Sequence, residues 1–191
     1  MKLKEKIKNK LEQKQLTNLE KLFLYFLIYS FIGWVLETAF AIYVNGYFVK
    51  RGFLLGPICP IYGCGAVILL VFLSRFKKSS LKLFFISSII LSFFEYVVSF
   101  AMDALFAMKW WDYSTDFFNL NGRISIAYAF CWGIISIIFI NHLHPFIEKR
   151  LNKNILNKVS TKLQVIILYT LMCAAFIDAA ASIGLNFQLN F

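Results

Sequence analysis

The sequence predicts an all-α, polytopic membrane helix bundle of about five transmembrane helices, with the N-terminus in the cytoplasm and the C-terminus outside. Three observations predict it. The chain is 60% hydrophobic with a mean hydropathy of +0.68 over 191 residues, beyond what an ordinary soluble domain carries. Five apolar stretches, at about 22–44, 58–74, 83–105, 124–143 and 163–185, reach the length a helix needs to cross a bilayer. Basic residues are also asymmetric: sixteen of the twenty lie in 1–21, 75–82 and 149–162, and only Lys50, Arg51, Lys109 and Arg123 fall in the other two connections. This is the positive-inside pattern. It makes the net charge of +10 chiefly a topology signal, with attraction to anionic lipid secondary and no nucleic acid expected as a partner.

Residues 1–21 form a basic cytoplasmic segment, and 22–191 are expected to be a single helical membrane domain, because no segment outside the spans is large enough for its own core. Leu3, Ile7 and Leu11, spaced four apart among lysines, suit either a helix lying on the inner membrane surface or a solvated lead-in. The first span carries Glu37. Ala39-Phe40-Ala41 reads as small-x-small, as at a signal-peptide cleavage site, but the basic lead and apolar run are both too long, so this helix is expected to be retained.

The second span opens with Lys50-Arg51-Gly52-Phe53-Leu54-Leu55-Gly56-Pro57-Ile58-Cys59-Pro60-Ile61-Tyr62-Gly63-Cys64-Gly65. Such a density of glycine and proline breaks helix and leaves backbone groups in need of partners. Two readings stand: an entrance or re-entrant element whose N–H groups and basic neighbours favour an anion, or a tight turn opening a closely packed helix. The third span carries Glu95; at 100° per residue Ser88, Ser92, Glu95, Ser99 and Asp103 fall within an arc of about 80°. Before the fourth span come Trp110-Trp111-Asp112-Tyr113-Ser114 and Asn119-Leu120-Asn121-Gly122-Arg123. The aromatic residues suit an interfacial belt; Asp112, Asn121 and Arg123 are not explained by one. Arg123 has Asp103, Asp112 and Glu95 as candidate partners. The fifth span carries Asp178, beside Ala174, Ala181 and Ser182.

Glu37, Glu95 and Asp178 point most directly to function. An ionisable group near a bilayer centre costs about 2.5–3.5 kcal/mol on insertion scales, so such groups face protein or a water-filled cavity. All three lie on outward-running helices, roughly 10–15 Å below the outer ends. Small residues beside each acid allow close packing around a polar core. The expected site joins these three acids with Arg51, Arg123, Asp103, Asp112, Asn121 and Tyr62 as binding or pathway residues. The alternative is hydrogen-bonded carboxyls that only join helices. The first two hairpins each hold a buried Glu, an outer aromatic loop, an Asn-Gly pair and an Arg, a faint parallel repeat blurred by unequal Glu-to-Arg spacing.

Cys59, Cys64, Cys131 and Cys173 lack zinc or redox spacing and read as packing residues, although a Cys59–Cys64 disulfide is chemically accessible. His142 and His144 lack a third ligand, so no metal site is expected. There is no phosphate-binding loop, His-Glu-x-x-His or Gly-x-Ser-x-Gly motif; no cofactor or catalytic residue is expected, and an enzyme is the less favoured class.

Tyr29-Ser30-x-x-Gly33-Trp34-x-x-Glu37, Arg51-Gly52-Phe53-x-x-Gly56-Pro57-x-Cys59-Pro60-x-Tyr62-Gly63, and Trp110-Trp111-Asp112-Tyr113-Ser114 with Asn119-x-Asn121-Gly122-Arg123 resemble the putative ABC-transporter type IV family of small bacterial membrane proteins. The resemblance covers residues 22 to 145 or so. It implies a multi-pass protein of the bacterial cytoplasmic membrane with a permease-like transport role and a separate ATPase subunit as partner; a homo- or hetero-oligomer is expected because five helices offer little room for a full pathway. It carries over no substrate and no catalytic residue. The cytoplasmic connections are short and lack the Glu-Ala-Ala-type coupling pattern of importer permeases. Two other readings therefore stand beside transport: a membrane-embedded enzyme acting on a lipid or lipid-linked envelope precursor, and a non-catalytic assembly partner.

Overall fold

The structure, a computed structural model, describes residues 15–190. The surface helix considered for Leu3, Ile7 and Leu11 lies outside them. Helix α1 (Asn18–Asn45) starts at a capping box, in which the Thr17 side chain accepts from the Glu20 N–H while the Glu20 carboxylate accepts from the Thr17 N–H at 2.8 Å. It ends at Gly46, whose φ of 77° is the left-handed conformation that glycine adopts without penalty.

Helix α2 (Pro60–Ile68) begins on a proline, which has no N–H to leave unpaired in the first turn. It continues as one π-helical stretch, Leu69–Leu73, and a 3₁₀ turn, Ser74–Phe76. Helix α3 (Ser80–Phe106) stops where Ala107 turns left-handed and donates back to the Asp103 carbonyl. A short hairpin follows, β1 (Asn119–Leu120) antiparallel to β2 (Ile124–Ser125), with Asn119 opposite Ser125. Asn121 and Gly122 take φ of 55° and 66°, the paired positive values for which Asn-Gly is suited. Helix α4 (Ile126–Ile138), capped by Ser125, passes through π-helical Phe139–Leu143 into α5 (His144–Leu151) and π-helical Asn152–Leu156. Helix α6 (Thr161–Asn190) closes the chain.

Four helical runs, Asn18–Asn45, Ser80–Phe106, Ile126–Leu156 and Thr161–Phe187, are long and apolar enough to cross a membrane; Pro60–Phe76 is a shorter apolar helix. The all-α class holds. The run Ile126–Leu156 extends past the expected end of the fourth span at 143 because the basic stretch that follows is itself helical.

The chain divides into two compact units. One comprises the chain up to Gly63 with Phe146–Ile183; the other comprises Cys64–Pro145 with the chain from Gly184. In the first, α1 meets the start of α2 through glycine: a Cβ on Gly63 would collide with the Ser30 Oγ and the Phe26 carbonyl, and one on Gly33 with the Tyr62 ring. In the second, α3 meets α4 the same way, at Gly133 against Ser88 and Phe84. Gly63→Ala and Gly133→Ala should each cost about 1–3 kcal/mol by forcing these helices apart. Gly65→Ala should be close to neutral, because its Cβ would meet only Leu91 at 4.0 Å. Thermal unfolding in detergent distinguishes the three.

Candidate functional site

In the first unit, two acids hold the irregular segment between α1 and α2. Glu37, on α1, pairs with Arg51 through Oε2 at 3.1 Å and accepts the Tyr62 hydroxyl through Oε1. The pair is partly open, the Arg51 and Glu37 side chains being 40% and 30% exposed. Asp178, on α6, takes the backbone N–H groups of Leu55 and Gly56 on its two oxygens, each at 3.0 Å. Ser182, one turn on, shares the Leu55 N–H at 3.0 Å and donates to Asp178 at 3.3 Å. The Cys59 N–H donates to the Ser30 carbonyl at 2.9 Å. Backbone that leaves helix at membrane depth needs such partners. The N–H groups that suggested anion affinity are thus occupied by the chain's own carboxylate.

In the second unit, Glu95 is only 4% exposed. Its Oε1 accepts the Tyr113 hydroxyl at 3.0 Å and its Oε2 accepts the Trp132 indole N–H at 2.9 Å. No cationic side chain reaches it among the described residues. Of the three candidates for Arg123, Asp103 is its partner, at 2.5 Å. Its guanidinium also donates to the Ser99 carbonyl and hydroxyl and lies over the Phe100 ring. Trp111 donates to the Arg123 carbonyl, and Asn121 to the Tyr96 hydroxyl. The aromatic residues of this connection therefore do more than mark an interface: Tyr113 and Trp111 hold the acid and the loop.

Asp112, whose carboxylate lies close to Gly122, accepts the Ser114 backbone N–H at 2.9 Å. That bond, helped by the Ser114 side chain, holds its carboxyl below the usual aspartate value. The bond's contribution to loop order is complete above about pH 4 and is lost as pH falls through the lowered folded value. Protection of the Ser114 amide, its exchange rate compared with the intrinsic rate at the same pH, should therefore fall only at acid pH. Asp112→Asn keeps an acceptor oxygen and should abolish that dependence.

The structure thus places Glu37, Arg51, Tyr62 and Asp178 around the irregular segment between α1 and α2 in the first unit, and Glu95, Asp103, Arg123 and Asn121 on the α3–α4 hairpin of the second. Trp132 and Ser99 also hold functional groups here. The signal that could have found Trp132 is the glycine beside it: Trp132-Gly133 contacts Glu95, Ser88 and Phe84 as Tyr62-Gly63 contacts Glu37, Ser30 and Phe26. All four cysteines are free thiols. Among the described residues no group of acids, histidines and cysteines is arranged to hold a metal.

No curated protein and no solved structure matches the chain significantly. The family model described as putative ABC-transporter type IV matches residues 24–183, which takes in both carboxylate-bearing hairpins and most of α6. The motifs around Glu37, Arg51–Tyr62 and Trp110–Arg123 are thus parts of one family pattern, and this membrane protein belongs to the putative ABC-transporter type IV family.

Proposed function

We propose that the protein is a permease-like transport component of the bacterial cytoplasmic membrane, with its N-terminus in the cytoplasm and a polar site opening away from it. In this reading the negative groups are Glu37 and Asp178 in the first unit and Glu95 in the second. Arg51 and Arg123 counter-charge them, Asp103, Asp112, Asn121 and Tyr62 are further binding or pathway residues, and the Gly-Pro segment ahead of α2 shapes the entrance. The observation that carries it is the amount of hydrogen-bonding machinery in apolar helices: each acid is engaged on both oxygens by named donors. Polar groups at this depth are costly, and in membrane helices they mark pathways. Partner subunits, among them a separate ATPase, and oligomerisation complete the pathway, because five helices leave little room for one.

The test is uptake and export of labelled monovalent cations, amino acids and phosphorylated metabolites in a deletion strain. Deletion should change flux of at least one class; wild type should restore it, and the Glu37→Gln/Glu95→Gln/Asp178→Asn variant should not. Full restoration by that variant would overturn the reading. So would a deletion that leaves flux unchanged but accumulates a lipid-linked precursor.

A further inference from the structure

The two helix pairs that carry Glu37 and Glu95 repeat one another in sequence, contact and backbone. On α1, Phe26, Ser30 and Glu37 are spaced four and seven residues apart; on α3, Phe84, Ser88 and Glu95 keep the same spacing. Opposite them stand an aromatic residue and a glycine, Tyr62-Gly63 and Trp132-Gly133, seventy residues apart. In each pair the aromatic residue donates to the glutamate, and the glycine packs against the serine and the phenylalanine. Both second helices then pass from α to π, at Leu69–Leu73 and Phe139–Leu143, again seventy residues apart. Ahead of each, Gly52 and Gly122, at that same offset, take positive φ. A shared dipeptide could be coincidence; the coincidence of donor, close-packed glycine, π turn and spacing is what two copies of one module would give.

The copies differ at one place. Glu37 holds the guanidinium of Arg51, whereas the arginine of the second copy is turned to Asp103 and Ser99. Glu95 is left with two neutral donors and greater burial. On the same face of α3, Ser92 is 6% exposed, and among the described residues neither its hydroxyl nor that of Ser88 a turn earlier has a hydrogen-bond partner. Helical side chains lean toward the N-terminus, so the Glu95 carboxyl lies over the turn that carries Ser92.

We propose that the two hairpins are copies of one carboxylate module, and that Glu95, whose copy lacks the guanidinium, binds and releases a proton in its place. A proton needs no cavity, and the donor set accommodates it. When hydronium delivers a proton to Oε1, an O–H bond forms and water leaves. The carboxylate charge is neutralised, and the Tyr113 hydroxyl turns from donor to acceptor while Trp132 still donates to Oε2. The groups facing this site are Tyr113, with Tyr128 stacked on it at 4.3 Å, and Trp132; along α3, Tyr96 is engaged by Asn121 and Asp103 by Arg123. Ser92 and Ser88 offer hydroxyls that both donate and accept, as proton passage along this face requires.

This rests on the reading of Glu95 as part of the transport site, but its test needs no flux. The full chain in lipid nanodiscs is titrated by infrared difference spectroscopy in H₂O and D₂O. The expected result is a deuterium-sensitive carboxylic C=O band that is absent from Glu95→Gln and retained in Glu37→Gln. Tyr113→Phe should raise its midpoint, by about tenfold in proton concentration, since the hydrogen bond lost from the charged carboxylate is stronger than the one lost from the neutral acid. A spectrum unchanged by Glu95→Gln overturns the assignment. If Glu95→Gln does not fold, a midpoint indifferent to both Tyr113→Phe and Trp132→Phe overturns it instead. Flux that depends on the carboxylates without a Glu95 band sinks the proton assignment alone. A normal band with flux indifferent to all three acids sinks the transport reading alone.

Discussion

Arg123→Leu should lower stability by about 2–3 kcal/mol. Its side chain is 14% exposed and joins Asp103, two atoms of Ser99 and the Phe100 face, so truncation removes several bonds to one charge at once. It also leaves Asp103, 34% exposed, without its cation beside an apolar helix. Asp103→Leu alone should cost less, because the guanidinium keeps both Ser99 acceptors. The double variant should recover much of the loss, since two apolar groups of similar size leave no charge unpaired. Thermal unfolding in detergent, arranged as a double-mutant cycle, measures the coupling. Additive losses would show that the pair is held by packing and not by charge.

How far the sequence carried depends on the range of the interaction. The helices were legible because hydropathy and length are local, and so was the polar face of α3: Ser92, Glu95 and Ser99, placed on one arc by helical phase, are all buried. The capping box at Thr17 and the Asn121-Gly122 turn are likewise written in neighbouring residues. What spacing could not supply was the choice among partners. Arg123 had three acids within reach on paper, and only the path of the 107–125 connection selects Asp103. Trp132 taken by itself is one more aromatic residue of an apolar span. Its role follows from Gly133 beside it, which lets α4 come close enough for the indole to reach Glu95. The faint repeat is obscured in the Glu-to-Arg spacing, because the connection between the two helices is longer in the second copy. It lies instead in the Glu-to-Ser and aromatic-Gly spacings, because those set how closely the helices pack.

Asp178 provides the second large effect, and its chemistry makes the expected result specific. Two backbone N–H groups, of Leu55 and Gly56, point at two carboxylate oxygens, a match that no neutral side chain of the same size reproduces. Asp178→Asn offers one acceptor oxygen and one NH₂, so one N–H must face another donor; Asp178→Ala leaves both without it, although Ser182 still takes the Leu55 N–H. Each variant should cost about 1–3 kcal/mol. Both should also speed amide exchange at Gly56 more than at Leu55, because Leu55 keeps its second acceptor. Gly56→Ala tests the same contact from the opposite side: its Cβ would sit 2.8 Å from the Asp178 Oδ2, at a position with no positive φ to complicate the comparison. It should reproduce the Asp178→Ala exchange pattern with the carboxylate still present. If Gly56→Ala leaves exchange at 51–56 unchanged, the acid is not what fixes this segment. If it loosens the segment as expected, Asp178 acts as the latch on the irregular backbone between α1 and α2, and any solute that competes for those two N–H groups has to displace it.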